Sequence, residues 1–177
     1  VKSLSAEQLA GVFSIMPASC SAISMEGKEF WIIRTLPVSD SDILKAKLIF
    51  NAILLAPFYV VGEVIMIIAL KPEITEVVWM IILPIAIICC SLVLGLFVNL
   101  KFPKLKWDSD VEVVKQSASG LIGGFSGFLV AIVVAVPLLI VPVKYYNLTA
   151  CVLCVVVVVI TVLINEKNRK FEFKNLE

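Results

Sequence analysis

Residues 48–70 spell L-I-F-N-A-I-L-L-A-P-F-Y-V-V-G-E-V-I-M-I-I-A-L, and this run decides the fold class. A helix of about 23 residues rises roughly 34 Å, which is enough to cross a hydrocarbon core of about 30 Å. Three further runs, 77–100, 118–143 and 148–164, are similarly apolar. The sequence therefore predicts an all-α, polytopic transmembrane helical bundle with four spans.

Composition places the chain among integral membrane proteins. The 177 residues are 60% hydrophobic and 16% charged, whereas globular domains are about 45–50% apolar and about 25% charged. There is no histidine, the usual acid-base residue at neutral pH and the commonest zinc ligand. We expect neither a metal site nor a disulfide framework, because four of the five cysteines lie inside apolar runs. The chain opens at Val1 without a signal-peptide pattern, so we expect a fragment of a longer protein.

Two polar residues, Asn51 and Glu63, interrupt the first apolar run. A carboxylate at membrane depth is costly, so Glu63 is expected to face a neighbouring helix or a wet cavity, or to be protonated. One interpretation is an ion or substrate path. The other is an inert, hydrogen-bonded carboxyl near the outer interface, and the position of Glu63 toward the outer end of its run favours it.

The run 118–143 begins with a glycine-rich stretch, G-L-I-G-G-F-S-G at residues 120–127. Gly120 with Gly124, and Gly123 with Gly127, have the small-x-x-x-small spacing that lets membrane helices approach closely. A phosphate-binding loop is excluded, because the Lys-Ser/Thr ending is missing. The four glycines therefore predict helix packing.

The segment before the first span is charged and aromatic: residues 24–47 spell S-M-E-G-K-E-F-W-I-I-R-T-L-P-V-S-D-S-D-I-L-K-A-K. A helix opening at Glu26 would lie at the membrane interface, with one apolar and one charged face. Pro37 would end it, and Ser39 followed by Asp42 predicts the next helix start. The apolar face would carry Phe30, Trp31, Ile32 and Ile33, and the charged face Lys28, Glu29 and Arg34.

Basic residues fall on one side of the predicted topology. The three clusters are Lys28, Arg34, Lys45 and Lys47; Lys101, Lys104, Lys106 and Lys115; and Lys167, Arg169, Lys170 and Lys174. The two opposite turns hold only Lys71 and Lys144. The positive-inside rule therefore predicts a multi-pass cell-membrane protein with its basic loops and its basic tail, 165–177, in the cytoplasm. Residues 26–47 then form a cytoplasmic interfacial stretch, and the weakly apolar residues 1–25 are expected to be the end of a membrane helix.

Two stretches carry a family resemblance. Residues 24–38, S-M-E-G-K-E-F-W-I-I-R-T-L-P-V, resemble a family of bacterial ABC exporter permeases, in which Ser-x-Glu-Gly-Lys, an aromatic, a basic residue and Leu-Pro precede a membrane hairpin. The second match is N-L-K-F-P-K-L-K-W at 99–107, followed by E-V-V-K-Q-S at 112–117. Asp108-Ser-Asp110 departs from the Asn-Glu expected after the tryptophan. The resemblance extends from about Ser21 to the tail and corresponds to the C-terminal part of a longer permease.

The resemblance implies an exporter subunit that works with a separate ABC ATPase and a second permease copy. ATP would bind the partner, so no cofactor and no catalytic residue is expected in this chain, in agreement with the absence of a Walker A loop. The lipid bilayer is the other expected partner, and nucleic acid is not. The implied ATPase-coupling residues are Glu26, Gly27, Lys28, Trp31, Arg34 and Pro37, with a second cytoplasmic contact at Pro103, Lys104, Trp107 and Lys115.

Other function classes remain open on the sequence. An ion-coupled secondary transporter would use Glu63 and Asn51, although such proteins usually carry more intramembrane polar groups. A membrane-embedded enzyme would also depend on Glu63, but no paired acids or Ser/Lys dyad lie inside a span. A structural scaffold is the fourth alternative. Dependence on a partner ATPase separates the exporter from all three.

Overall fold

The computed structural model describes residues 18–35, 37–105, 117–171 and 173. Within them, short 3-10 helices at Ala18–Cys20, Ser24–Glu29 and Val143–Tyr145 flank the α-helices. No strand occurs in these ranges, which confirms the predicted all-α fold. The α-helices are α1 (Phe30–Thr35), α2 (Asp40–Leu70), α3 (Ile74–Lys101), α4 (Ala118–Ile140) and α5 (Tyr146–Arg169).

Helices α2 to α5 are long and apolar enough to cross a membrane, and α3 is the centre of the bundle. Of its most apolar window 61% is buried, against 6% for α2. Helices α4 and α5 both pack along α3, and the core they share consists of Leu83, Ala86, Ile87, Cys90, Ala131, Val134, Leu138, Ala150 and Val157. The chain is therefore a membrane helical bundle assembled around one nearly enclosed helix.

Helix α2 begins well before its apolar run, at Asp40 rather than near residue 48. The Ser39 hydroxyl accepts a hydrogen bond from the backbone N–H of Asp42 at 3.2 Å, which satisfies a donor that the first helical turn leaves unpaired. The helix start predicted at Ser39 is thus confirmed. The run 48–70 marks the apolar part of a helix whose first two turns are polar.

The other helices also differ from their apolar runs at the ends. Helix α3 begins at Ile74, before the run 77–100, and α5 covers Tyr146–Arg169, beyond both limits of 148–164. Helix α4 stops at Ile140, short of residue 143, because Val141 precedes Pro142 and takes an extended conformation. A proline disfavours helical geometry in the residue before it.

The helix predicted to open at Glu26 is wrong. Gly27 has φ 51° and ψ −125°, a conformation that residues with a side chain rarely adopt, and it separates a 3-10 turn from α1. The predicted common apolar face is also wrong. Phe30 is buried and its ring meets that of Phe173 edge to face at 5.2 Å, whereas Trp31 is 63% exposed. Helix α1 ends at Thr35, before Pro37, as predicted.

The residues that the structure describes in the predicted basic tail, 165–177, pack against the rest of the protein. Residues up to Arg169 continue α5, and Phe173 is only 2% exposed. The backbone N–H of Phe173 donates a hydrogen bond to the Asp40 carboxylate at 2.9 Å. Phe173 belongs to a second apolar cluster with Ile23, Phe30, Leu44, Leu96 and Leu100. This cluster closes one end of the bundle.

Candidate functional site

The side chain of Asn99, near the end of α3, is fully buried and forms four hydrogen bonds. Its Oδ1 accepts from the backbone N–H groups of Ile23 at 2.7 Å and Ser24 at 3.2 Å. Its Nδ2 donates to Ser24 Oγ at 2.7 Å and to Ser119 Oγ at 3.1 Å. An asparagine amide has two acceptor sites and two N–H donors, so this side chain is completely satisfied.

The hydrogen bonds continue into the loop after α3 and into the start of α4. Ser24 Oγ accepts from the backbone N–H of Lys104 at 3.0 Å. Ser119 Oγ donates to Ser117 Oγ at 3.2 Å, and Ser117 Oγ accepts from the Gly120 N–H at the start of α4. We call Ser24, Asn99, Ser117 and Ser119 the Asn99 cluster. It joins the segment before α1 to the end of α3, the following loop and the start of α4.

An ion pair fastens the same segment to α2. Lys47 Nζ contacts Glu26 Oε1 and also donates a hydrogen bond to the Ala22 carbonyl oxygen at 2.8 Å. The two side chains are partly shielded from solvent, with 19% of Lys47 and 33% of Glu26 exposed. Glu26 therefore pairs with α2 within this chain.

The remaining predicted coupling residues take different positions. Trp31 and Pro37 are exposed, Gly27 is the backbone break, and Pro103 and Lys104 are half-buried beside Ser24. The side chains of Lys28 and Arg34 lie outside what the structure describes, as do Trp107 and Lys115 entirely. The two stretches that carry the family resemblance thus meet at the Asn99 cluster, although far apart in sequence.

Four large apolar side chains of this segment are exposed. Exposed apolar surface is a candidate for contact with a membrane or another protein. Trp31 is the most exposed of them at 63%, and Met25, Ile32 and Val38 are 41%, 43% and 51% exposed. We call Met25, Trp31, Ile32 and Val38 the Trp31 patch.

The four glycines of α4 form one stripe along the helix, and the two edges of the stripe differ in burial. Gly123 and Gly127 are buried, and Gly123 lies against the turn that contains Cys20. A Cβ added to Gly123 would stand 2.0 Å from Cys20 Sγ, and one added to Gly95 on α3 would stand 2.5 Å from Ser19 Oγ. Glycine is therefore required where α3, α4 and the Ala18–Cys20 turn converge.

Gly120 and Gly124 form the other, less buried edge of this glycine stripe. There they line a groove of about 390 Å³ together with Leu121, Phe125 and Phe128. The spacing predicted close helix packing for both pairs, and among the described helices the packed pair is Gly123 and Gly127.

The sequence matches one family of known proteins over most of its length. Residues 5–167 match the model of a family described as membrane protein of 12 TMs. The chain belongs to this family. Neither the curated proteins nor the solved structures contain a match. In this 12-TM family protein the described residues supply four candidate spans, and the matched region contains the Asn99 cluster, the Trp31 patch and α2 to α4 in full.

The two intramembrane polar residues of the 12-TM family protein differ in their hydrogen bonding. Both Asn51 and Glu63 are 5% exposed. Asn51 Nδ2 donates to the Lys47 carbonyl oxygen one turn earlier, at 2.8 Å. Neither carboxyl oxygen of Glu63 has a hydrogen-bond partner among the described residues. The hydrogen bond expected for an inert Glu63 carboxyl is therefore not found in that part of the chain.

Sequence reasoning missed Asn99 and Lys47 as the residues that hold the candidate site together. Asn99 ends an apolar run, where a polar residue ordinarily faces water, and its partners lie 75 and 20 positions away in sequence. Within the described ranges, no group of three or more His, Cys, Asp or Glu residues is placed to hold a metal ion. The candidate site consists of the buried Asn99 cluster and the exposed Trp31 patch, and the described residues add no group of metal ligands to it.

Proposed function

We propose that this 12-TM family protein is the permease subunit of an ABC-type exporter, which couples a separate ATPase to movement of a substrate across the membrane. The observation that carries the proposal is the Asn99 cluster. It unites both stretches of the family resemblance and attaches them to the ends of α3 and α4, while Lys47 attaches the same unit to α2. A protein that displaces this unit would act on three candidate spans together.

The Trp31 patch is the proposed docking surface for the ATPase. Tryptophan is enriched among the residues that dominate binding at protein interfaces, and Trp31 stands clear of the bundle at 63% exposure. The Gly27 break and the buried Phe30 ring fix the direction in which α1 presents it. ATP would bind the partner, and the permease would have no catalytic activity. A second permease copy and the lipid bilayer complete the proposed assembly.

In the proposed orientation, the Asn99 cluster lies at the cytoplasmic face of the cell membrane and Lys144 at the opposite face. We expect a membrane-impermeant maleimide to label Lys144→Cys in intact cells and Lys45→Cys only after permeabilisation. Both positions are on the surface, and the unsubstituted protein gives the background from its native cysteines. The reverse labelling pattern would contradict the orientation.

The ATPase partner is tested by purifying the full-length protein from native membranes in mild detergent. We expect ATPase activity to co-purify, and Trp31→Ala to lower the amount recovered at least tenfold, since a central tryptophan contributes about 2 kcal/mol or more at an interface. Ile74→Ala is the matched control. Ile74 is 85% exposed at the opposite end of the bundle, so its loss should leave recovery unchanged.

An ion-coupled secondary transporter is the second candidate, favoured by Glu63, which is buried and has no hydrogen-bond partner among the residues that the structure describes. Recovery of intact protein without ATPase activity would favour it over the exporter. Equal recovery of ATPase with Trp31→Ala and Ile74→Ala would remove the docking role proposed for the Trp31 patch. The first result would contradict the exporter function, whereas the second would contradict only the proposed docking site.

A further inference from the structure

The carboxyl group of Glu63 is enclosed between helices with no hydrogen-bond partner. Both oxygens lack solvent-accessible surface and have no hydrogen-bond partner among the described residues. Glu63 is four residues past the middle of the apolar run 48–70, which places it about 6 Å from the run's midpoint at 1.5 Å per residue. In a membrane-spanning α2, this carboxyl therefore lies well inside the hydrocarbon region.

The register of α2 against α3 identifies what surrounds this carboxyl. The Tyr59 hydroxyl donates to the Ile81 carbonyl oxygen at 3.0 Å, so the antiparallel pair brings Glu63, one turn later on α2, beside the first turns of α3. Tyr59 interacts electrostatically with Glu63. Glu76, in that first part of α3, accepts instead from the backbone N–H of Glu73.

Other ionisable groups at this end lie in the connecting turns or on α5. Lys71 and Glu73 are exposed in the α2–α3 turn, and Lys144 is exposed before α5. On α5 itself, Tyr146 packs against the core around Leu83. No salt bridge to Glu63 occurs among the described residues. Within the part of the chain that the structure describes, Glu63 therefore has no salt-bridged cation that would stabilise a negative charge.

A carboxylate without a cation or hydrogen-bond donors is prohibitively costly in an apolar interior, whereas a neutral acid loses only its hydrogen bonds to water. The closed packing therefore requires Glu63 to hold a proton. Releasing that proton requires the carboxyl to meet water, which requires α2 to separate from α3. Of the four candidate spans α2 is the least buried, so it has the fewest contacts to lose.

We propose that Glu63 is an intramembrane proton-binding site, and that its proton exchange is tied to separation of α2 from α3. The carboxylate takes one proton from water while the helices are apart, holds it in the closed packing and returns it to water when the helices part again, with no other reactant. This inference goes beyond the proposed exporter function and does not depend on an ATPase. The Asn99 cluster and the Trp31 patch lie at the other end of the bundle and do not explain why this carboxyl is enclosed. The proton-binding site gives it a role.

A lipid-soluble carbodiimide tests the site in native membranes containing the full-length protein. A protonated carboxyl passes its proton to a carbodiimide nitrogen, while its oxygen adds to the central carbon. The adduct rearranges to a stable acylurea that retains all the atoms. We expect mass spectrometry to find this adduct on Glu63 at neutral pH, and none with Glu63→Gln, which keeps the shape but cannot react.

Tyr59→Phe provides the readout for helix separation. Loss of the hydroxyl that holds α2 to the Ile81 carbonyl should speed labelling of Glu63 several-fold. Glu76 is the internal control, since a carboxyl near the helix end should prefer a water-soluble carbodiimide. Absence of an adduct on Glu63 in both the parent and Tyr59→Phe would overturn the proposal. Equal labelling rates in the two would overturn the link to helix separation, because reaction would not require the α2–α3 contact to open.

Discussion

Replacement of Gly123 by alanine is expected to destabilise the bundle by about 1–3 kcal/mol, the usual cost of adding a methyl group to a well-packed core. The added Cβ would lie 2.0 Å from Cys20 Sγ and 2.9 Å from Cys20 Cβ, closer than any non-bonded contact. Neither neighbour can move freely, because Cys20 lies in a short turn that also contacts Gly95 of α3. Thermal unfolding of the purified protein in detergent measures the loss.

Gly124→Ala is the matched control for this prediction. Gly124 is the next residue on α4 but lines the open groove, where a methyl group meets space, so the variant should unfold close to the parent temperature. Cys20→Ala removes the sulfur from the clash and leaves the Cβ contact at 2.9 Å, so it should partly rescue Gly123→Ala. A coupling energy near zero in that double-mutant cycle would show that the Cys20 contact does not explain the requirement for glycine.

The spans could be predicted because a single physical quantity decides them. An apolar run of about 20 residues must pair its backbone polar groups internally when it lies in lipid, and an α-helix does this along its whole length. Local chemistry also made one helix start predictable, because Ser39 caps the first turn of α2. The apolar runs ended too early where a helix continues into a polar turn, as α5 does up to Arg169, because a hydropathy pattern does not distinguish such a turn from loop.

Long-range partners could not be predicted from local patterns. The charged and apolar alternation after Glu26 suits an interfacial helix, but Phe30 is buried by Phe173, at the other end of the chain. The spacing of the α4 glycines predicts one stripe of small residues, and only the contact with the turn at Cys20 determines which edge of it is enclosed. In each case the deciding contact is tertiary, and the local sequence carries no record of it.

Glu63 and Asn51 make the same point for polar residues. Both interrupt one apolar run, and both are buried to the same extent. Asn51 finds its acceptor one turn away on its own helix, which any helical asparagine can do. The environment of Glu63 depends on α3, which encloses the carboxyl without offering it a donor among the described residues. The sequence identified an unusual carboxyl, and the helix packing determines its surroundings.

Asn99→Leu should destabilise the protein by about 2–6 kcal/mol, since it leaves two buried backbone N–H groups without an acceptor at about 1–3 kcal/mol each. The N–H groups are those of Ile23 and Ser24. Ser24 Oγ and Ser119 Oγ retain other partners, so they add less. Thermal unfolding gives the loss of stability, and limited proteolysis between residues 18 and 39 reports release of the segment that carries the Trp31 patch.

Asn51→Leu is the contrasting control for Asn99→Leu, because it replaces an asparagine that is also buried and bonds only to its own helix. It should change stability little and leave proteolysis of residues 18–39 unchanged. Asn99→Asp should fall between the two, since a carboxylate still accepts from both N–H groups and the serine hydroxyls can turn to donate, while the buried charge adds a cost. Equal effects of the two leucine variants would mean that the Asn99 cluster does not hold the segment to the bundle. The proposed polar route from an ATPase to α3 and α4 would then lose its physical basis, while the Lys47–Glu26 ion pair and the Phe30–Phe173 contact would still attach that segment to the bundle.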